Sequence, residues 1–254
     1  MSRVTDDSLY EFLETIQAKV AYRWIPESCG KILEIGCSSG YFTRRLLDKA
    51  QEVHGIDINE KHIQMARSKY PEIDFRVSTA THLPYEDNLF DVLVMLEVYE
   101  HIEDERKVIE EIFRVLKPGG VLILSTPNRG IFEVLDPYNM KMRLKGSAPR
   151  LFSIIRKLQR YQSTQYRDNL IRHRHYSLAD IEQAFEGRFT IYKVHRSGLL
   201  MYPVCSALQS ITSRLTGWRV PNMLLHSLKN VDGSMNYGRF SYNLMVMAKK
   251  LEAG

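Results

Sequence analysis

The chain is poor in cysteine: Cys29, Cys37 and Cys205 are the only three in 254 residues, and no two form a C-x-x-C pair. So odd and sparse a set excludes a disulfide-stapled secreted domain and a zinc knuckle, and fits a reducing, cytoplasmic compartment. Long apolar runs are lacking as well. The longest uncharged run, Ser197 to Ser213, contains Pro203 and several Ser and Thr, and it falls short of the roughly 20 apolar residues that a bilayer span needs. The opening MSRVTDDSLYEF is acidic and has no apolar centre, so it does not read as a secretory signal. Low-complexity tracts are absent, as are repeats at periods of about 20 to 50 residues. Acids are scarce in one place only. Between Asn139 and His175 there are ten Lys and Arg against Asp168 alone, a local charge of +9 in a chain whose total is +5.

What is present is an ordinary globular composition, 44% apolar and 26% charged. It is enough to bury a sizeable core and excludes disorder for the bulk of the chain. An amphipathic helix is expected from about Asp7 to Trp24, with Leu9, Phe12, Leu13, Ile16, Val20 and Trp24 near helical spacing. Short apolar runs then alternate with helical stretches. Strands are expected at Lys31–Ile35, Val53–Asp57, Asp74–Val77, Phe90–Leu96 and Val121–Leu124, and helices after Ser39, over Glu60–Lys69 and over Glu103–Leu116. Lys117-Pro-Gly-Gly120 supplies the break before the last of these strands. Such alternation implies right-handed crossovers and a parallel sheet covered on both faces, a doubly wound α/β fold. After Asn128 the alternation lapses. A helix over Leu178–Phe185, a strand over Thr190–Arg196 and a closing strand over Phe240–Ala248 follow, the last two expected as an antiparallel edge.

The strongest local signal is Glu34-Ile-Gly-Cys-Ser-Ser-Gly40, at the end of one strand and the opening of a helix. Glycines there permit a tight turn and close approach of backbone to ligand, and a helix N-terminus offers N–H groups to an anion. Asp57 ends the second strand, where a carboxylate accepts both hydroxyls of a ribose. Together they imply an adenosine-containing ligand. The loop is not a G-x-G-x-x-G dinucleotide fingerprint, which makes a nicotinamide oxidoreductase the least favoured reading.

Four separated segments in order, ILEIGCSSGYFT, GIDIN, HLPYEDNLFDVLVMLEVYEHIED and RVLKPGGVLILSTPN, resemble the class I S-adenosylmethionine-dependent methyltransferases, especially the group with ubiquinone-pathway-like O-methyltransferases. The resemblance implies a Rossmann-like, doubly wound sheet of seven strands with a reversed last strand, plus helical insertions in the C-terminal half. It implies one domain over 1–254: an N-terminal helical cap at 1–27, a donor-binding core at 28–128, a basic insertion at 129–175, and the rest of the sheet at 176–254 with an insertion at 199–236. Glu34 and the loop Gly36, Cys37, Ser38 and Gly40 would hold the methionine moiety, Asp57 and Ile58 the ribose side, and Thr79 and Ala80 the adenine edge, with Glu97 nearby. Two positions depart from the family. Ser38 stands where glycine is common and is tolerable at negative φ; Thr79 stands where an acid often meets the adenine amino group.

On the acceptor side, Glu97, Glu100 and His101 fall at i, i+3 and i+4, on one side of a helical turn. This E-x-x-E-H pattern resembles the divalent-metal site of some relatives, for which His173 or His175 would add a fourth ligand; the same residues also read as a general base, His101, with Glu100 and His175 orienting the acceptor. The expected activity is methylation of a hydroxyl on a small-molecule, lipid-linked or glycan acceptor. A metal-dependent RNA 2′-O-methyltransferase and a donor-binding scaffold without turnover are the alternatives. The cationic segment 139–175 reads either as a solvated helical face or as a membrane-surface contact, with RNA behind both, and the apolar stretches of 199–225 favour a lipid-like partner over RNA. His54 and His82 flank strands and read as surface or loop residues.

Overall fold

The computed structural model describes residues 15–130, 146–147, 174–199, 228 and 230–252. The first described element is helix α1, Ile16–Trp24, opened by Thr15, whose hydroxyl accepts the Ala18 N–H at 3.2 Å. The earlier part of the expected Asp7–Trp24 helix lies outside the described residues, as do most of 129–175 and of 199–225. Next come β1, Cys29–Ile35; α2, Tyr41–Arg45; β2, Ala50–Asp57; α3, Glu60–Lys69; β3, Asp74–Val77; and β4, Phe90–Leu96. The remaining elements are α4, Glu105–Val115; β5, Leu116–Pro127; α5, Leu178–Phe185; β6, Phe189–Ser197; and β7, Asn243–Lys250.

Local chemistry explains the boundaries. Asn59 caps α3 by accepting the N–H groups of Lys61 and His62, and Asp104 caps α4 by accepting that of Lys107, the oxygens filling donors that a first turn leaves open. Helix α4 buries Val108, Ile109, Ile112 and Val115 on one face, each contributing about 1.5–3 kcal/mol of apolar burial. The break at Lys117-Pro-Gly-Gly120 is an excursion inside β5, not a turn ahead of it. Leu116 pairs with Phe90 and Val121 with Val92, so four residues loop out where β4 advances by two; Gly119, at φ +74°, turns the excursion.

The seven strands lie in the order β3-β2-β1-β4-β5-β7-β6, the last strand antiparallel to its neighbours. Pairings β1 with β2, β1 with β4, β2 with β3 and β4 with β5 are parallel. The sheet is thus doubly wound, and β1 and β4 flank the point where strand order reverses, the place where open α/β sheets bind ligands. The two terminal strands make the expected antiparallel edge: β6 is outermost, and β7 is inserted between β5 and β6. Its run Leu244-Met-Val-Met-Ala248 is buried throughout, as an interior strand covered on both faces requires.

His54 corrects an expectation. It is 4% exposed, in the middle of β2. Its Nε2 lies 2.7 Å from Glu52 Oε1 and its Nδ1 3.2 Å from Asp74 Oδ2, while Tyr85 and Phe90 pack edge-on to the ring. Lys31 pairs with Glu52 and Arg76 with Asp74, and these cations hold both carboxyls below their ordinary range. An imidazole given two acidic partners can be buried; sequence spacing alone does not reveal them.

The chain divides into two compact units. One takes in Met1–Thr126, Leu178–His195 and Met245–Gly254; the other Pro127–Ser177 and Arg196–Leu244.

Candidate active site

Within the first unit, the ends of β1, β2 and β4 bring together residues expected on the donor side. Pairing sets Glu34 beside Gly55 of β2 and Val94 of β4. Glu34 is buried, and Oε2 accepts the Thr43 hydroxyl of α2 at 2.6 Å. Burial is the largest influence on its carboxyl and pushes the pKa up to about 8, with the Asp57 charge adding to it and the Thr43 hydrogen bond opposing it. A carboxyl so placed is proton-bearing near neutrality and becomes a strong attractor for any cation that enters beside it.

The loop that follows is tied down at almost every amide. The N–H groups of Gly36 and Cys37 both donate to Ile56 O, at 2.8 and 2.9 Å, and that of Gly40 donates to Cys37 O. The Ser38 N–H donates to Asp57 Oδ2 at 2.9 Å, and the Asn59 N–H to Asp57 Oδ1 at 2.8 Å. Both carboxylate oxygens of Asp57 are thus held by backbone, and His62 Nδ1 stands 4.0 Å from Oδ1. Gly36, at φ +80°, and Gly40, at φ +79°, make the turn. A Cβ on Gly40 would meet Phe75 Cζ at 2.6 Å, and one on Gly55 would meet Phe75 Cδ1 at 2.7 Å. The loop therefore rests on the Phe75 ring. Cys37 is buried, and burial, with the Glu34 and Asp57 charges behind it, drives its thiol far above the ordinary range, which leaves it un-ionised and unreactive.

Ser38 does not have the negative φ that the sequence reading required: its φ is +49°. A non-glycine residue in this region carries roughly 1–2 kcal/mol of strain. Ser38→Gly should therefore gain stability, by about 0.5 kcal/mol once glycine's added chain entropy is subtracted, as read by urea denaturation; an unchanged or lowered midpoint would contradict the strain argument.

Farther along the strand ends, Asp57 pairs with Val77 across β2 and β3. Ile58 and Val77 remain exposed, at 54% and 46%, two apolar side chains available to a flat apolar ligand face. Thr79 is exposed in a turn closed by the His82 N–H to Thr79 O, and its hydroxyl lies 3.1 Å from that of Thr81. Ala80 follows, half-buried. His82 is exposed, as expected of a loop residue.

The acceptor-side pattern takes a different form from the helical turn expected. Glu97 stands at φ +54°, ahead of a 3₁₀ turn over Tyr99–His101. The α-helical i, i+3, i+4 alignment of Glu97, Glu100 and His101 is therefore lost. Glu97 is fixed to β5: Ser125 Oγ donates to Glu97 Oε1 at 2.7 Å and accepts the Glu97 N–H at 3.1 Å. Glu100 is buried and its Oε1 lies 3.8 Å from Nε2 of the half-exposed His101. No group of three His, Cys, Asp or Glu converges into a metal site among the described residues. The described residues do not fit the divalent metal.

His175, in the second unit, is buried, with Nδ1 3.1 Å from Asn128 O and Tyr242 edge-on to its ring. His173 lies outside the described residues. Asn128 organises its surroundings, its Nδ2 donating to Ser241 O at 2.7 Å and its N–H to Tyr242 O at 2.7 Å. The sequence reading singled out neither Asn128 nor Thr43 and Ser125; each lies within a quoted motif, yet only pairing across the fold gives it a partner.

A seven-stranded sheet of this order, with carboxylates at the ends of β1 and β2, is the arrangement that the resemblance to class I methyltransferases implies. Residues 33–124 match the methyltransferase domain family. A probable S-adenosylmethionine-dependent methyltransferase of Mycolicibacterium smegmatis is 39% identical over 117 residues, 45% of this chain and 46% of that protein. A ubiquinone biosynthesis O-methyltransferase of Pseudomonas aeruginosa is 37% identical over 115 residues, 42% of this chain and 50% of that protein. The chain thus matches about half the length of these curated relatives. Among solved structures, the Bacillus protein YcgJ shares the fold at TM-score 0.60 and 18% identity, covering 94% of this chain and 99% of its own. A putative sarcosine dimethylglycine methyltransferase from Galdieria sulphuraria does so at TM-score 0.60 and 16% identity, covering 96% and 86%.

Proposed function

We infer that the chain transfers a methyl group from S-adenosylmethionine to a hydroxyl of a small, lipid-linked or glycan acceptor. The observation that carries this reading is the buried Glu34 carboxyl at the sheet's switch point, within reach of the loop that also fixes Asp57. The donor's sulfonium supplies an activated methyl group. Glu34 meets the donor's ammonium; Asp57, preset by the Ser38 and Asn59 amides, accepts the ribose hydroxyls; Ile58 and Val77 face the adenine ring, with Thr79 and Ala80 at its edge. Transfer from a sulfonium depends chiefly on in-line approach, so the protein's task is positioning. The acceptor hydroxyl needs a base, and His101 takes its proton, Glu100 stabilising the imidazolium beside it. The ubiquinone-pathway name of one group of relatives favours a phenolic acceptor, and the sequence charge of +9 over 139–175 favours an anionic surface as a partner. Among the described residues no helix is long and apolar enough to cross a membrane, so any membrane contact of this reading is peripheral.

Calorimetric titration with S-adenosylmethionine, S-adenosylhomocysteine and NAD tests the donor. Micromolar binding of the first two, about −8 kcal/mol, and not of NAD is expected, with Asp57→Ala losing it. His101→Ala should keep donor affinity and lower methyl transfer to a catechol by about 10²-fold or more. Equal turnover in that variant would remove His101 as the base. Donor binding with no transfer to phenols, alcohols or short RNA would favour the scaffold reading, which the strained Ser38 and the absent acid at Thr79 support.

A further inference from the structure

Four large apolar side chains of the second unit lie in solvent close together in the chain: Leu228, Val231, Met235 and Phe240, each between 40% and 56% exposed. Residues 228 and 230–234 are helical, and the Met235 N–H closes the next turn by donating to Asp232 O at 3.1 Å. Leu228, Val231 and Met235 therefore fall at i, i+3 and i+7, along one side of the helical turn. Phe240 ends the 3₁₀ turn Gly238–Phe240, with the exposed Arg239 guanidinium 4.9 Å from its ring centre. Apolar side chains gathered in this way mark a surface that meets something less polar than water.

The charge that accompanies the stripe has one sign. From Arg196 to Leu244 the sequence holds five Lys and Arg and a single acid, Asp232. That acid is buried: Oδ2 accepts the Leu199 N–H at 2.9 Å, and Oδ1 accepts the Tyr237 hydroxyl at 2.9 Å. The one carboxylate of the segment is thus engaged inside the fold and is not presented beside the stripe. Over both segments of the second unit the sequence has 16 Lys and Arg against four Asp and Glu, a charge of +12, which leaves −7 for the first unit.

These two features favour one occupant. At the boundary of an anionic bilayer, apolar side chains enter the acyl region while Lys and Arg meet the headgroups. RNA would answer the charge but leaves exposed Leu, Val and Met without a role, since bases stack on aromatic or guanidinium planes. We propose that the 228–240 face docks the protein on an anionic phospholipid surface, with Leu228, Val231, Met235 and Phe240 entering the headgroup layer. The assignment rests on the anionic-partner reading above, to which it gives a face and a lipid chemistry, and it is independent of which atom receives the methyl group.

Sedimentation of the full chain with vesicles tests it. Phosphatidylcholine vesicles containing phosphatidylglycerol should retain the protein at low salt, pure phosphatidylcholine should not, and added salt should weaken the retention by screening. The double variant Val231→Ser, Met235→Ser should lose about tenfold in partitioning while keeping its melting temperature, because both side chains face solvent. Phe240→Trp reads insertion: bromine on the acyl chains near the headgroups should quench the fluorescence that this substitution adds over wild type. Failure of anionic vesicles to retain wild type overturns the anionic-lipid reading and this assignment together. Undiminished retention of the folded double variant, or added fluorescence in Phe240→Trp that bromine leaves unquenched, overturns this assignment alone. Retention on short RNA that exceeds retention on vesicles and is equal in the double variant would assign the charge to nucleic acid and overturn it as well.

Discussion

Glu34→Gln is expected to weaken S-adenosylmethionine binding by about 100-fold and to remove its dependence on pH. The carboxyl is buried, and its pKa stands near 8 when the site holds no cation. A donor ammonium beside it favours the ionised form, so binding expels a proton, and affinity should rise with pH by up to about tenfold per unit until the pKa is passed. A raised carboxyl has the opposite effect on the ligand-free fold. Between its ordinary value of 4.5 and about 8, the native state holds a proton that the unfolded chain has released, so stability falls as pH rises through that window. Melting temperature without donor should therefore decline from about pH 5 to pH 8, and saturating donor should flatten the decline. Calorimetry in buffers of different ionisation enthalpy counts the released proton directly. Donor affinity that is level across the window in wild type would refute the assignment of Glu34 to the ammonium.

Gly36→Ala should remove both stability and donor affinity. Its φ is +80°, and a Cβ there would lie 2.3 Å from Val98 Cγ2. The left-handed backbone costs an alanine about 1–2 kcal/mol and the overlap a further 1–3 kcal/mol. Val98 also opens the 3₁₀ turn that carries Glu100 and His101, so the displaced methyl group disturbs the donor loop and the base together. Gly187→Ala provides the control: its φ is +70° and nothing lies within 4 Å of the added atom, so only the backbone term applies. Denaturant midpoints of the two variants should differ by the overlap; equal losses would show that Val98 moves aside without cost.

Much of the fold is legible in the sequence because apolar runs and breakers alternate plainly. The boundaries of α3, β3, β4 and α5 agree with the periodicity to the residue. The order of strands at the far side of the sheet is not local information: the run Leu244–Ala248 signals burial but not its place between β5 and β6. The strand-end loop proposed for the donor is legible in Glu34, Gly36 and Asp57, whose types follow from charge and backbone freedom. Ser38 misleads because a residue's φ is imposed here by the tie of its amide to Asp57. Glu97, Glu100 and His101 mislead for a related reason. Helical spacing presumes a helix, whereas the bond from Ser125 to Glu97 holds the start of the segment in a left-handed turn. His54 shows that burial of a polar residue depends on partners drawn from two other strand positions.

The contact of Phe75 with Gly40 and Gly55 bears on how this protein can change. One aromatic ring serves as the floor of the loop proposed for the donor and as part of the interior, so the loop is a seat built into the core and has no independent hinge. Variation that retunes donor affinity through this seat must therefore pass through the stability of β2 and β3. Positions away from this seat carry no such cost, which leaves them free to vary among relatives that share the fold.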